Sequence, residues 1–233
     1  LGPDQNMKDE SAKKLAEKDG MEKKPKVVSS NSPSSFGVGE GVDGVIYATT
    51  SLADGSVVVG GNFDTVNGQP RQNLACFKPD GSLDTTMFAG ADAGVDGTVY
   101  ALAIDAKGNV LVGGYFSVNT GQGDPLQNFV RFAGGKLDPA FTAGLSPNGA
   151  VYAITVQPKG QIVVGGEFTQ AGAQLRRNLI RFKPDGTLDG PIASADASTG
   201  AVRSLVSLSN GGVLAGGSLE IAGQTARNIL IAP

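Results

Sequence analysis

Four polar residues recur at a nearly constant spacing, each directly before a glycine that opens an apolar stretch. They are Asp43, Asp96, Asn148 and Thr199, separated by 53, 52 and 51 residues. If they converge on one axis, the two carboxylates and the amide could hold a hard divalent cation such as calcium, magnesium or manganese. Asp43 and Asp96 could instead form a close acid pair that shares a proton and is catalytic. The alternative to both is an Asx-Gly turn repeated by symmetry, without a ligand.

The composition narrows the chemistry further, because the chain contains no histidine and no tryptophan. Ser-His-Asp and Cys-His catalysis are therefore excluded, as is every zinc motif that needs imidazole. An enzyme built from this chain would have to use carboxylates, with or without a divalent metal. The predicted enzymatic alternative is an aspartic-protease-like or glycosidase-like hydrolase of an extracellular polymer or glycoprotein.

Most other aspartates fit structural roles. One group precedes glycine in predicted hairpin turns: Asp54, Asp80 and Asp185. A second group follows leucine at one fixed place in three repeats: Asp84, Asp138 and Asp189. A polar residue at a fixed repeat position typically hydrogen-bonds its own backbone, so we predict Asx turns there, with nearby arginines such as Arg131 and Arg181 as ion-pair partners.

The elements that position these residues form a tandem repeat. Similar inner-strand segments recur at Ile46-Tyr47-Ala48, Val99-Tyr100-Ala101, Val151-Tyr152-Ala153 and Val202-Arg203-Ser204. Glycine pairs recur in phase at Gly60-Gly61, Gly113-Gly114, Gly165-Gly166 and Gly216-Gly217. A period near 52 residues, with strand patterns and no helical pattern, predicts an all-β protein, a β-propeller with one four-stranded blade per repeat.

The ends of the array predict how the ring closes. The fourth repeat stops near Ile231 without a fourth strand, whereas Phe88 and Phe141 end that strand in the first two repeats. Phe36 lies about one period before Phe88 in a similar context. We therefore predict a closed four-bladed ring in which residues 36–44 complete the last blade and remove the open sheet edges. Edge-to-edge association with a second copy stays open, so the predicted state is a monomer or a weak homo-oligomer.

Composition divides the chain into a tail and one domain. Residues 1–30 carry 7 Lys and 6 Asp/Glu among few apolar residues, so we predict a charged, largely disordered tail, followed by a linker at 31–35. The propeller is predicted at 36–233, with repeats at about 45–97, 98–149, 150–200 and 201–233, the last joined by 36–44. No signal segment is evident, and we expect a precursor trimmed at its N-terminus.

Charge and cysteine usage limit the partners and cofactors. The formal net charge is −3 and no basic stripe with interleaved aromatics occurs, so nucleic acid is not an expected partner. No apolar run approaches membrane-spanning length. Cys76 is the single cysteine, which excludes an internal disulfide and indicates a small buried hydrophobe. No cofactor is predicted apart from the divalent cation above.

The repeat resembles a known family. The third repeat carries the pattern most fully, in Val163-Val164-Gly165-Gly166-Glu167-Phe168 and in Arg177-Asn178-Leu179-Ile180-Arg181-Phe182-Lys183-Pro184-Asp185-Gly186-Thr187-Leu188-Asp189. These residues resemble the delta-60 repeat, and the likeness covers about residues 36–233. It implies a β-propeller of bacterial secreted or surface proteins, and it carries no shared catalytic motif.

Two functional classes follow. The first, which we favour, is a secreted, periplasmic or surface scaffold that binds an extracellular protein or glycan. The second is the carboxylate-only hydrolase, with Asp43 and Asp96 as catalytic residues. Its metal ligands would be the four residues that precede the inner strands, which we call the entrance residues: Asp43, Asp96, Asn148 and Thr199. Fold alone does not confer activity, so only the chemistry of the site can distinguish the scaffold from the hydrolase.

Overall fold

The computed structural model describes residues 40–89, 94–120, 124–141, 144–190, 198–221 and 227–232. Within these ranges every regular element is a β-strand. The strands are β1 (Val45–Ser51), β2 (Val57–Asn62), β3 (Thr65–Val66), β4 (Gln69–Pro70), β5 (Leu74–Phe77), β6 (Asp96–Ile104), β7 (Val110–Val118), β8 (Leu126–Ala133), β9 (Lys136–Leu137), β10 (Ala150–Val156), β11 (Ile162–Glu167), β12 (Gln170–Ala171), β13 (Gln174–Leu175), β14 (Leu179–Phe182), β15 (Ser198–Ser207), β16 (Val213–Ile221) and β17 (Arg227–Ala232).

Each sequence repeat forms one antiparallel sheet. In chain order the sheets are sheet one (β1-β2-β5), sheet two (β6-β7-β8-β9), sheet three (β10-β11-β14) and sheet four (β15-β16-β17). Small hairpins, β3-β4 and β12-β13, project from the first and third repeats. The all-β class and the propeller-like repeat predicted from the sequence are confirmed. No described helix is long and apolar enough to span a membrane. The tail and the linker lie outside the described residues, so their limits stay a prediction.

All four inner strands carry a β-bulge at the same place. The register shifts between Ile46 and Ala48, and at the equivalent step in β6, β10 and β15. The residues at the bulge are Tyr47, Tyr100, Tyr152 and Arg203. A bulge redirects one side chain out of the regular alternation, so these four side chains leave the packing faces of their sheets.

Sheet packing relies on glycines that each admit a side chain of the next sheet. A methyl group added to Gly60 would overlap with Val99, one on Gly113 with Val151, and one on Gly165 with Val202. The three valines are fully buried. The first glycine of each of these three pairs is therefore a socket between neighbouring sheets, whereas the second approaches a backbone carbonyl of the inner strand of its own sheet.

The fourth strand of each blade is shorter than predicted. Among the described residues only repeat two has one, the two-residue β9, while repeats one and three reduce it to the single bridges Phe77–Leu83 and Phe182–Leu188. The Leu-Asp turn bends the chain away after one pair. Phe88 and Phe141, predicted to end this strand, lie outside any strand but are almost fully buried. The ring of Phe88 packs edge-on against Phe132 of sheet two, with 5.2 Å between centroids.

The prediction that residues 36–44 complete the last blade is corrected for residues 42–43, which the structure describes. Val42 bridges to Val66, and the N–H of Asp43 donates to the carbonyl of Thr65, so residues 42–43 pair with the hairpin of the first repeat. The described strands of sheet four are β15, β16 and β17 alone. Residues 36–39 lie outside the described ranges. Extensive contacts join sheets one to two, two to three and three to four, but no described strand of sheet one contacts sheet four extensively.

Candidate functional site

The four entrance residues divide into two structural classes. Asp43 and Asn148 precede their strands and cap the small hairpin of their own repeat. Oδ1 of Asp43 accepts the N–H groups of Asp64 at 3.0 Å and Thr65 at 2.9 Å, and its Oδ2 accepts the Thr65 hydroxyl at 3.0 Å. These hydrogen bonds, that of the Thr65 backbone first, lower the pKa of the Asp43 carboxyl. Asp43 is thus an ionised capping residue.

Asn148 repeats this geometry in the third repeat. Its Oδ1 accepts the N–H groups of Thr169 at 2.9 Å and Gln170 at 3.0 Å, and its Nδ2 donates to the Thr169 hydroxyl at 3.0 Å. The capping role matches the turn interpretation of the sequence pattern, although the bonded backbone lies 21 and 22 residues away rather than within the turn.

Asp96 and Thr199 lie within strands instead. Asp96 begins β6 and pairs with Ser117, and Thr199 in β15 pairs with Glu220. The difference follows from the longer second strands: β7 and β16 run on where β2 and β11 end and turn into a hairpin. Asp96 is exposed, and within the described ranges its carboxylate accepts no backbone hydrogen bond like those of Asp43.

Neighbouring entrance residues meet in two clefts on the same end of the molecule. Cleft A, about 330 Å³, lies between sheets two and three and includes Asp96 and Asn148. Cleft B, about 400 Å³, lies between sheets three and four and includes Asn148 and Thr199. Asp43 lines neither. The described residues contain no group of three or more Asp, Glu, His or Cys side chains placed to hold a metal ion. The metal site and the Asp43–Asp96 pair stay predictions.

Cleft A combines an aromatic ring with polar groups. Tyr115, on β7, is 64% exposed. Asp96, Ser117, Gln127 and Asn148 surround the same cleft. A flat ring beside a carboxylate and amides presents a stacking surface together with hydrogen-bond acceptors and donors.

One exposed position differs in every repeat. It follows the glycine pair, and its residues are Asn62, Tyr115, Glu167 and Ser218, all exposed. Because the flanking glycine and the next residue are structural, the backbone at this position stays constant while the side chain changes. Tyr115 lines cleft A and Glu167 lines cleft B, so the two clefts share a framework but differ in chemistry.

The bulge residues form a row of neighbouring, mutually tilted rings across the inner strands. Ring centroids are 5.6 Å apart for Tyr47 and Tyr100 and 5.3 Å apart for Tyr100 and Tyr152. The guanidinium of Arg203 lies 4.1 Å from the Tyr152 ring centroid, which is a cation–π contact. The recurring tyrosines were visible in the sequence, but their alignment depends on the bulges.

The Leu-Asp aspartates have the structural roles predicted for them. Arg131 contacts Asp138 at 2.6 Å, and Arg181 contacts Asp189 at 2.9 Å. The Asp84 carboxylate accepts the N–H and hydroxyl of Thr86 at 2.6 and 2.7 Å, and these contacts lower its pKa. These residues are therefore committed to turns and ion pairs.

Sequence reasoning missed a set of buried asparagines. Asn73, Asn128 and Asn178 have positive φ values of 60–61° and are almost fully buried. Asn128 accepts the N–H of Phe116 at 3.1 Å and donates to the carbonyl of Pro147 at 2.9 Å, which joins sheet two to the entrance of sheet three. The signal was present, since asparagine is among the few residues that tolerate a left-handed backbone and it recurs in the Asn-Leu pattern.

Comparison with solved structures finds distant likenesses. One is the WD40 beta propeller domain of Doa1, with 16% identity, a TM-score of 0.44, and coverage of 78% of this chain and 52% of that one. Another is a virginiamycin B lyase from Staphylococcus aureus, with 15% identity, a TM-score of 0.42, and coverage of 80% of this chain and 54% of that one. A third is the extracellular domain of a protein described as a putative hybrid two component system from B. thetaiotaomicron. It has 13% identity, a TM-score of 0.42, and coverage of 81% of this chain and 21% of that one. This chain spans about half or less of each.

The comparison with curated proteins finds no match. A family model does match, that of the domain of unknown function (DUF5122) beta-propeller, over residues 52–86 and 157–190. These segments belong to the first and third repeats, the two that carry the small hairpin and the capping residues Asp43 and Asn148. The match confirms the resemblance seen in the sequence for the segments that it covers: both resemble the delta-60 β-propeller repeat.

Proposed function

We propose that residues 36–233 form an interaction scaffold of a secreted, periplasmic or surface protein, and that cleft A binds an extracellular glycan. The observation that carries the proposal is Tyr115, an exposed aromatic ring placed beside Asp96, Gln127 and Asn148. Sugar rings present an apolar C–H face and a rim of hydroxyls. Such a ligand matches cleft A, because its apolar face can pack on the tyrosine ring while its hydroxyls hydrogen-bond to the carboxylate and the amides.

The resemblance to the delta-60 repeat supports the location, since that family occurs in secreted or surface proteins of bacteria. The rigid framework supports the binding role. The glycine sockets and buried asparagines hold the sheets together, while the residue after each glycine pair varies. Binding residues carried on such a framework lose little conformational freedom when a ligand binds.

The test is a glycan array probed with the whole chain, followed by affinity measurement for the best ligand. Tyr115→Ala should weaken binding at least tenfold, because it removes the stacking face. Tyr115→Phe keeps the ring and should bind within about twofold to threefold of the parent. Leu175→Ala serves as the control, since Leu175 is exposed on β13 and lines neither cleft.

Other outcomes would redirect the proposal. Binding of peptides but no glycan would assign the scaffold to a protein partner. Release of cleaved products, abolished by Asp96→Asn, would favour the carboxylate-only hydrolase. For the metal alternative, calorimetric titration with calcium, magnesium and manganese should give heat that Asp43→Asn and Asp96→Asn together remove. If the chain binds some glycans of the array selectively and Tyr115→Ala leaves that binding unchanged, cleft A is not the binding site.

A further inference from the structure

Of the four repeats, the second is the one that combines a carboxylate at the entrance position with an aromatic ring after the glycine pair. In chain order these two positions hold Asp43 with Asn62, Asp96 with Tyr115, Asn148 with Glu167, and Thr199 with Ser218. Asp96 pairs with Ser117 across β6 and β7, and Tyr115 lies two residues before Ser117. Side chains two residues apart on a strand share a face, so Asp96 and Tyr115 are diagonal neighbours on one face of sheet two.

The charge of Asp96 has no counter-charge in cleft A. Among the described residues that line this cleft, Asp96 is the single charged one, and the polar groups around it are hydroxyls and amides. Within the described ranges its carboxylate makes no hydrogen bond or ion pair. An ionised carboxylate only accepts hydrogen bonds. Cleft A therefore presents a negative charge to a ligand, beside an exposed ring.

The distribution of charge over the molecule acts in the same direction. We call the end at which the inner strands begin the entrance end. All five lysines of the described residues lie at the opposite end, in or beside the turns there: Lys78, Lys107, Lys136, Lys159 and Lys183. At the entrance end the described carboxylates outnumber the arginines, seven to four. The field at cleft A thus attracts cations and repels anions.

Elsewhere in the chain a tyrosine beside a carboxylate already holds a cation. The guanidinium of Arg203 lies 4.1 Å from the ring centroid of Tyr152, whose hydroxyl donates to Glu167 at 3.4 Å. Tyr115 and Asp96 offer the same two kinds of group, but no described cation of the chain contacts the ring of Tyr115. A cation in cleft A would have to come from the ligand.

From these features we infer that cleft A selects glycans that carry a free, protonated amino group, as unacetylated amino sugars do. The inference rests on the proposed glycan binding in cleft A and adds the class of sugar. The apolar face of the sugar packs on Tyr115, and the ammonium group on its rim donates to the carboxylate of Asp96. Neutral sugars lack the ion pair, and uronic acids or sulfated sugars are repelled by Asp96.

The experiment compares three oligosaccharides of equal length and linkage by calorimetric titration of the whole chain. They are the β-1,4-linked oligomers of glucosamine, of N-acetylglucosamine and of glucose. At mildly acidic pH, where the amine is protonated, the glucosamine oligomer should bind about tenfold more tightly than the other two. Added salt should reduce this preference, and raising the pH until the amine loses its proton should remove it.

Two matched variants separate a local ion pair from general attraction to the entrance end. Asp96→Asn keeps the shape of the side chain and should weaken binding of the glucosamine oligomer about tenfold, with little effect on the neutral oligomers. Glu167→Gln removes an exposed carboxylate that lines cleft B and not cleft A, so the preference should stay within about twofold of the parent. Tyr115→Ala should weaken binding of all three oligomers. Thermal melts check that each variant is folded.

The other outcomes distinguish this inference from the proposed function. If the neutral oligomers bind as tightly as the amine and Tyr115→Ala weakens them all, the amine selectivity is wrong and glycan binding in cleft A stands. An amine preference that survives Asp96→Asn, or that Glu167→Gln reduces equally, would also overturn the inference, because the attraction would then belong to the whole acidic end. Binding of lysine-containing peptides and of no glycan would overturn both proposals.

Discussion

The middle sheets and the end sheets carry the same sequence pattern but lie in different surroundings. Val151 of sheet three and Ile46 of sheet one occupy equivalent positions before the same bulge, yet the first is fully buried and the second is 40% exposed. The difference comes from the neighbour and not from the residue. A repeat specifies how it packs on the next repeat, so Ile46 keeps the apolar character of its counterparts although no described glycine socket holds it.

The largest effect should come from breaking a polar tie between two middle sheets. Asn128→Ala would leave the buried N–H of Phe116 and carbonyl of Pro147 without their partner and would put alanine at a φ of 61°. The free energy of unfolding should fall by about 3 kcal/mol or more, from lost hydrogen bonds and backbone strain. Chemical denaturation measures it. Asn67→Ala also has a positive φ, but it removes only one hydrogen bond, to the half-buried Gly41, and it should cost clearly less.

A second test compares equivalent apolar residues. Val151→Ala removes a side chain that fills the socket of Gly113, and the free energy of unfolding should fall by about 2 kcal/mol. Ile46→Ala removes more atoms, but from an exposed position, and should cost about 1 kcal/mol or less in dilute protein that is monomeric. Equal losses for the two variants would show that the side chain of Ile46 is covered within one chain.

A smaller effect should appear in acid, at the turn that leads from sheet one to Phe88. Hydrogen bonds from Thr86 lower the pKa of Asp84 below its usual 3.8, so the folded state binds its proton less readily than the unfolded state. The stabilisation is therefore present above pH 3.8 and is lost as the pH falls through the lower folded pKa. At pH 7 Asp84→Asn should be less stable than the parent, and the difference should shrink in strong acid. A constant difference would contradict the charged role.

The smallest effect is expected at Cys76, on the covered face of sheet one. Burial raises its thiol pKa to about 11, so the folded chain should stay unmodified by a maleimide reagent at pH 7. Mass spectrometry measures the label. Ile46→Cys with Cys76→Ser puts the thiol on the opposite face and should react at once in the monomer. Rapid labelling of Cys76 in folded protein would show that sheets one and two separate readily.

Part of the fold was predictable because it depends on neighbours along the chain. The repeat phase, the hairpin turns and the Leu-Asp turns each follow from residue types within a few positions, and Asp80 and Asp185 cap their turns as expected. The prediction of a full fourth strand in each blade was wrong, because the Leu-Asp turn ends the strand pairing after one or two residues.

The entrance residues show where local reasoning stops. Asp43, Asp96, Asn148 and Thr199 share one sequence position, so the sequence treats them as equivalent. Their surroundings differ because β7 and β16 continue as strands where the first and third repeats turn into a hairpin. Whether backbone N–H groups reach a carboxylate depends on this later part of the repeat, about 21 residues away.

The sequence by itself determined the all-β class and the repeat length, because strand, turn and glycine signals act over short distances. Only the tertiary structure decided which aspartate is capped, which tyrosine faces solvent and which inner-strand aliphatic side chain is exposed. Those properties depend on groups that are distant in sequence and close in space. Ile46 is apolar in either setting, and its exposure is decided by what occupies the space in front of it.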